Sequence, residues 1–208
     1  MINRHPVVIA AVLLGMFAVV GTTLVSFTYE NTRERILDNE RKALLKNLHQ
    51  IIPANHIDND IVNDTIRVSS PGLLGAEQTM VYRGRKLNQP VAAVFSIVAP
   101  EGYSGSISLL VAVKTDATLG GVRIISHRET PGLGDKIEAR KSDWILGFQG
   151  KSLNNPDKSN WKVKRDGGEF DQFTGATITP RAIVEAVKRT LVYFQDNKEA
   201  VFKQEIET

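Results

Sequence analysis

Residues 91–127 read VAAVFSIVAPEGYSGSISLLVAVKTDATLGGVRIISH, and this stretch decides the fold. Three Val- and Ile-rich runs, 91–98, 106–114 and 121–127, are separated by Pro100-Glu101-Gly102 and by Gly120-Gly121. Runs of that length, bounded by Gly and Pro, predict β-strands. Residues 91–98 and 107–113 are almost continuously apolar, which predicts central strands covered on both faces. Toward the N-terminus, 65–69 and 79–83 predict two further strands, with Pro71-Gly72 and Asn88-Gln89-Pro90 as breaks. Toward the C-terminus, Asp135 and Asp143 stand as caps before predicted short helices over 136–141 and 144–148. Residues 151–160 read as a loop, 161–164 as a strand and Asp166-Gly167-Gly168 as a turn. Thr179 as N-cap and Pro180 as first helical residue predict a final helix over 179–202. Ile183, Val187, Leu191 and Phe194 share one face of it. Strands followed by helices make an α+β fold.

The N-terminal end reads differently. Residues 7–27 carry no charge, and only Thr22, Thr23 and Ser26 bear polar side chains, whose hydroxyls can bond back to helix carbonyls. A helix of that length rises about 32 Å, enough for a hydrocarbon core of about 30 Å. The run exceeds a usual signal-peptide apolar region of about 7–15 residues, and no A-x-A site follows it, so an uncleaved anchor is the expectation. Arg4 precedes the run; Arg33, Arg35, Arg41, Lys42 and Lys46 follow it among acidic residues. A strict Lys/Arg count keeps the large domain in the cytoplasm, but large domains translocate regardless of charge, so charge leaves the side open. Residues 28–52 predict a helix continuing from the membrane, with Ile36, Leu37, Leu44, Leu45 and Leu48 as a partial apolar face closed by Pro53.

Composition limits the function classes. Among 208 residues, 24% are charged and 42% apolar, as in an ordinary folded domain rather than a disordered or collagen-like chain. With no cysteine, the chain has no disulfide, thiolate zinc site, protein-ligated iron–sulfur cluster or cysteine nucleophile. Lys and Arg number 26 against 23 Asp and Glu, with no long basic run, which argues against nucleic acid as a partner. His5, His49, His56 and His127 lack metal-ligand spacing, and His127 reads as structural or solvent-facing. No Walker loop, G-x-S-x-G elbow or Ser/His/Asp order is present, so no catalytic residue and no metal ligand is assigned.

Two motifs could carry chemistry. Asp171-Gln172-Phe173-Thr174-Gly175-Ala176-Thr177 stands at a predicted helix N-terminus, where unpaired N–H groups and the dipole favour a phosphate. Arg181 is near enough in sequence to add charge, and Gly175 and Ala176 leave Thr177 uncovered. Read by composition alone, plain caps are the favoured reading of these threonines. Glu129-Thr130-Pro131-Gly132-Leu133-Gly134-Asp135-Lys136 follows a strand, and its Gly-x-Gly turn lets backbone approach a flat ligand. It lacks the third glycine of a dinucleotide fingerprint, so a tight turn is its plain reading. A third segment, Gly102-Tyr103-Ser104-Gly105, is a hairpin turn whose Tyr103 can supply a ring face or a hydroxyl.

The spaced pair of motifs behind an N-terminal anchor resembles the FMN-binding domain family. Within that family it is most similar to the G subunits of Rnf (or Rsx) ion-translocating electron transport complexes. The homologous C subunits of sodium-translocating NADH:quinone reductases share the threonine motif. The resemblance covers nearly the whole chain and is strongest from about Pro90 to Phe194. It implies that a flavin transferase esterifies FMN through its phosphate to Thr177. Thr174, Gly175 and Ala176 would form the transferase recognition sequence, and Asp171 would present the hydroxyl by orienting the loop or holding a metal. The 129–136 loop would pack on the isoalloxazine through Thr130, Leu133, Gly134 and Lys136, with Tyr103 near the ring and Arg181 near the phosphate.

The same resemblance implies a single-pass protein of the bacterial inner membrane. Residues 1–6 would be a short cytoplasmic tail, 7–27 the transmembrane helix, 28–60 a helical connector and 61–208 a periplasmic FMN-binding domain. Its expected role is electron transfer as one subunit of an ion-translocating oxidoreductase of the ferredoxin/NADH type, inactive alone. Its partners would be integral-membrane and redox subunits. A non-redox assembly subunit and an exported binding protein with a cleaved signal are the competing readings.

Overall fold

The structure is a computed structural model describing residues 5–203. Arg4 and the rest of the expected tail at 1–4, and the last residues of the expected domain at 204–208, lie outside the described residues. The chain divides into two compact units, Met1–Leu44 and Leu45–Thr208.

Helix α1 (His5–Ile51) fills the described part of the first unit and enters the second. It is long and apolar enough to cross a membrane, and Val7, Leu14, Phe17 and Phe27 on it are exposed. The hydroxyls of Thr22 and Thr23 donate to the carbonyls of Ala18 and Val19 at 2.7 and 2.8 Å, which removes unpaired polar groups from the apolar run. Pro53 follows the helix end closely, and no break interrupts α1 between 7–27 and 28–51.

The second unit is built on a five-stranded antiparallel meander in the order β1 (Thr65–Val68), β2 (Thr79–Lys86), β3 (Gln89–Gly102), β4 (Gly105–Lys114) and β5 (Leu119–Ser126). Five of the six expected strands are present. Leu87 and Asn88 take positive φ in the β2–β3 turn, and Gly102 pairs with Gly105 to leave Tyr103 and Ser104 at the β3–β4 tip.

Both faces of the central strands are buried. Ala93, Phe95, Ile97, Leu109, Val111 and Val113 join the main core. Helix α3 (Ile178–Phe202) covers that face, and Phe95 meets Tyr193 and Phe194 edge-on at 6.0 and 6.2 Å. Ala92, Val94, Leu110 and Ala112 are equally buried on the other face. There the end of α1 and the following segment pack: Gly121 lies under Ile51, Gly84 under Ile57, and Arg123, the partner of Leu110, donates to Gln50.

Several local expectations need correction. Residues 161–164 do not form a strand; Val163 makes one bridge to Phe170, and short 3-10 turns flank it. The Trp161/Val163 alternation instead feeds an aromatic cluster, in which the buried Trp161 and Phe148 meet Phe170 at 4.9 Å each. The helix expected over 136–141 shrinks to a 3-10 turn, Gly134–Ile137, because Asp135 binds Lys141 rather than capping. Residues Trp144–Phe148 are also 3-10, and Asp143 makes no cap bond. A one-turn helix α2 (Pro71–Leu74), opened by Pro and closed by left-handed Gly75, replaces the turn expected at Pro71-Gly72. Helix α3 begins at Ile178, so Thr177 takes the N-cap position expected for Thr179.

Candidate functional site

The β3–β4 tip, the segment after β5 and the start of α3 converge on a cleft of about 310 Å³ lined by Tyr103, Glu129, Thr130, Leu133, Gly134 and residues 175–179. Its size is that of a small-ligand site. Tyr103, Leu133 and Ile178 present large exposed apolar surface at its walls.

The Thr177 side is shaped by a tight turn. The Ala176 amide donates to the Phe173 carbonyl at 3.1 Å, and Gly175 between them has φ 81°. A left-handed residue is needed there, which is why glycine stands in the motif. Phe173 anchors the turn by packing edge-on against Trp144 at 5.2 Å, while Trp144 Nε1 donates to the Asp171 carbonyl at 2.8 Å. Thr177 caps α3 by position only: its side chain makes no cap bond. A half-buried threonine with no cap bond therefore stands at a helix N-terminus and lines the cleft.

The opposite wall is the 130–134 loop. Leu133 and Gly134 amides both donate to the Thr130 carbonyl at 3.1 Å, and Gly132 turns with φ 79°. Gly134 has no room for a side chain: a Cβ would lie 2.9 Å from Glu129 Oε2 and from Thr179 Oγ1. Behind the loop is a charged cluster. Lys141 binds Asp135 at 2.5 Å and Glu138 at 3.0 Å, and Arg140 and His127 also reach Glu138, at 2.5 and 3.2 Å. The Arg140 hydrogen bond above all, helped by Lys141 and His127 against burial, lowers the Glu138 carboxyl from 4.5 to about 2. The Lys141 bond likewise holds Asp135 below the usual carboxylate range. The Glu129 amide donates to His127 Nδ1 at 3.0 Å, so the imidazole proton sits on Nε2, toward Glu138.

Of the residues singled out from sequence, Tyr103, Thr130, Leu133, Gly134, Gly175, Ala176 and Thr177 line one cleft. Thr174, Lys136 and Asp171 do not. Thr174 is exposed on the tight turn, and Lys136 is exposed beyond the loop. Asp171 is exposed and binds Lys164 at 2.6 Å, and among the described residues no group of His, Cys, Asp or Glu is arranged to hold a metal. Arg181 departs from the phosphate role expected of it. It forms a two-pronged pair with Asp166 at 2.6 and 2.8 Å in a separate groove with Trp161 and Glu185. That pair keeps the Asp166 carboxyl below its ordinary range. Sequence reasoning missed Glu129, Ile178 and Thr179 as cleft residues; Glu129 opens the 129–136 motif, and Thr179 reads from sequence as a cap.

Comparison with known proteins agrees with this geometry. Residues 102–192 match the family model of the FMN-binding domain, and residues 1–51 match that of the RnfG N-terminal region. The class is thus an FMN-binding domain behind a G-type N-terminal region. Among similar proteins, the G subunit of the ion-translocating oxidoreductase complex of Pseudoalteromonas atlantica is 49% identical over 191 residues, covering 91% of this chain and 89% of its own. The corresponding protein of Shewanella loihica is 45% identical over 202 residues, covering 97% and 95%. That of Aliivibrio fischeri is 43% identical over 191 residues, covering 91% of each. The chain belongs to the family of ion-translocating oxidoreductase complex G subunits.

Proposed function

We propose that the protein is a membrane-anchored electron-transfer subunit whose FMN is esterified through its phosphate to Thr177. The observation that carries this reading is the position of Thr177: a threonine with no side-chain cap bond at a helix N-terminus, lining a cleft with apolar walls. The residues fit the group. Tyr103, Leu133 and Ile178 offer surface for a flat ring, Thr130 and Gly134 line the wall beside it, and the α3 dipole favours the phosphodiester charge. Gly175 and Ala176 leave Thr177 open to a flavin transferase, for which Thr174 on the exposed turn is a recognition element. Asp171 braces that turn through Lys164 and Trp144. Lys136 stands outside the cleft and is assigned the loop's outer edge.

Forming the ester makes a Thr177 Oγ–P bond and breaks the activated P–O bond of a flavin pyrophosphate donor. A nucleoside monophosphate leaves, and the hydroxyl proton passes to the transferase. FMN, when bound, supplies one- and two-electron redox chemistry; the chain supplies its place and surroundings. Without cysteine the chain ligates no iron–sulfur cluster, so electrons enter and leave through other redox and integral-membrane subunits. Family membership supports a place in an inner-membrane complex that couples ferredoxin/NADH-type electron transfer to ion translocation, with α1 as single-pass anchor and the FMN-binding domain in the periplasm. A lone apolar helix has no ionisable residue within 7–27 to serve as an ion path, so translocation is assigned to partners.

Thr177→Val tests the attachment, because it keeps shape and removes the hydroxyl. Made alongside the transferase, the folded variant should lose covalent flavin completely, and Thr174→Val should lose less. Covalent flavin on folded Thr177→Val protein would contradict the assignment.

A further inference from the structure

Glu129 is a buried carboxylate inside the cleft, 4% exposed. Its Oε1 accepts the Ser104 amide at 3.0 Å, and its Oε2 accepts the Thr179 hydroxyl. Its own amide donates to His127. Three segments distant in sequence meet on this one side chain: the tip that carries Tyr103, the loop that carries Leu133, and the first turn of α3 beside Thr177. Two glycines make room for it. A Cβ at Gly102 would lie 2.9 Å from Oε1, and one at Gly134 would lie 2.9 Å from Oε2. Among the described residues the carboxylate has no ion-pair partner. A buried carboxylate without a counter-ion is costly unless hydrogen bonds satisfy it, and here both oxygens are spent on holding the cleft's walls.

We infer that Glu129 is the positioning residue of the cleft. It fixes Tyr103, the 130–134 loop and the Thr177 end of α3 in one register, so that the Thr177 hydroxyl and the ring-binding walls address the same ligand. Thr179 is its counterpart on α3. The inference rests on the flavin reading for what is positioned, but the tie itself is independent of any ligand.

The test uses the full-length protein made with the flavin transferase, as Glu129→Gln, Glu129→Met and Thr179→Val. Gln keeps an acceptor for the Ser104 amide and a polar partner for Thr179; Met keeps the length and loses both. Glu129→Gln should incorporate flavin within about twofold of the wild-type rate. Glu129→Met should be slower by about tenfold or more, since it leaves a buried donor unpaired. The flavin that does attach to Glu129→Met should show lower fluorescence anisotropy. In a Thr177→Val background, which carries no ester, Glu129→Met should also speed hydrogen exchange at the Ser104 amide. Should Glu129→Met fail to fold, Thr179→Val removes only one hydroxyl and should slow incorporation in the same direction. Wild-type incorporation, anisotropy and Ser104 exchange in folded Glu129→Met would overturn the inference, as would equal impairment of the Gln and Met variants. Absence of flavin on the wild-type chain would instead defeat the proposed function, while Ser104 exchange would still test the tie.

Discussion

Thr177 holds the N-cap position of α3 without using its side chain there. Ser, Thr, Asp and Asn are favoured at that position because their oxygens bond the first helical amides, and losing such a bond costs about 1 kcal/mol. A threonine that leaves it unmade keeps its hydroxyl available for other chemistry. The threonine motif was legible only through its family resemblance, because composition alone reads these threonines as plain caps. What one sequence hides is the partner across the fold. Glu129 and Thr179 are 50 residues apart and meet only after the sheet and α3 are assembled. Arg181 misled for the same reason: its nearness to Thr177 along the chain suggested a phosphate contact, yet Asp166 takes its guanidinium.

At the scale of elements, the 130–134 wall is buttressed by the Glu138 cluster rather than by a helix. The folded Glu138 carboxyl is held near 2, below its ordinary 4.5. A depressed acid stabilises the fold above its unfolded value, and that contribution is lost as pH falls from about 4.5 toward about 2. Thermal unfolding from pH 6 to about pH 2 should therefore show a steeper fall in midpoint for the wild type than for Glu138→Gln; parallel curves would show that this carboxylate does not buttress the wall. The five strands and α3 were legible because β-branched runs and 3.6-residue periodicity report burial directly. The short elements were not. Asp135 and Asp143 look like caps, but Asp135 pairs with Lys141 at the end of the expected helix, and Trp144 and Phe148 are drawn into an aromatic cluster with Phe170 and Phe173 from beyond it. Trp161 and Val163 alternate like a strand because both enter that core, although among the described residues the segment pairs only through the single Val163–Phe170 bridge.

At the scale of the whole molecule, the two units have opposite surfaces. The second buries its apolar residues on both faces of a sheet, whereas α1 exposes Val7 through Phe27. Burying about 20 apolar residues in lipid satisfies that surface, and the back-bonded threonines fit such a setting. The chain should accordingly stay with membranes through high-salt and alkaline washes and come free only in detergent, with its N-terminal segment present in the intact mass; a mature chain lacking 7–27 in the soluble fraction would show a cleaved leader instead. The central claim is that this molecule carries its redox group on Thr177. The most direct measurement is the intact mass, and then the peptide mass, of the denatured protein purified from its own membranes with the flavin transferase shown to be active. The account predicts flavin fluorescence that survives denaturation and an FMN-sized mass gain confined to the peptide containing Thr177. An unmodified mass and a dark band would contradict it and leave a non-redox assembly subunit as the better reading.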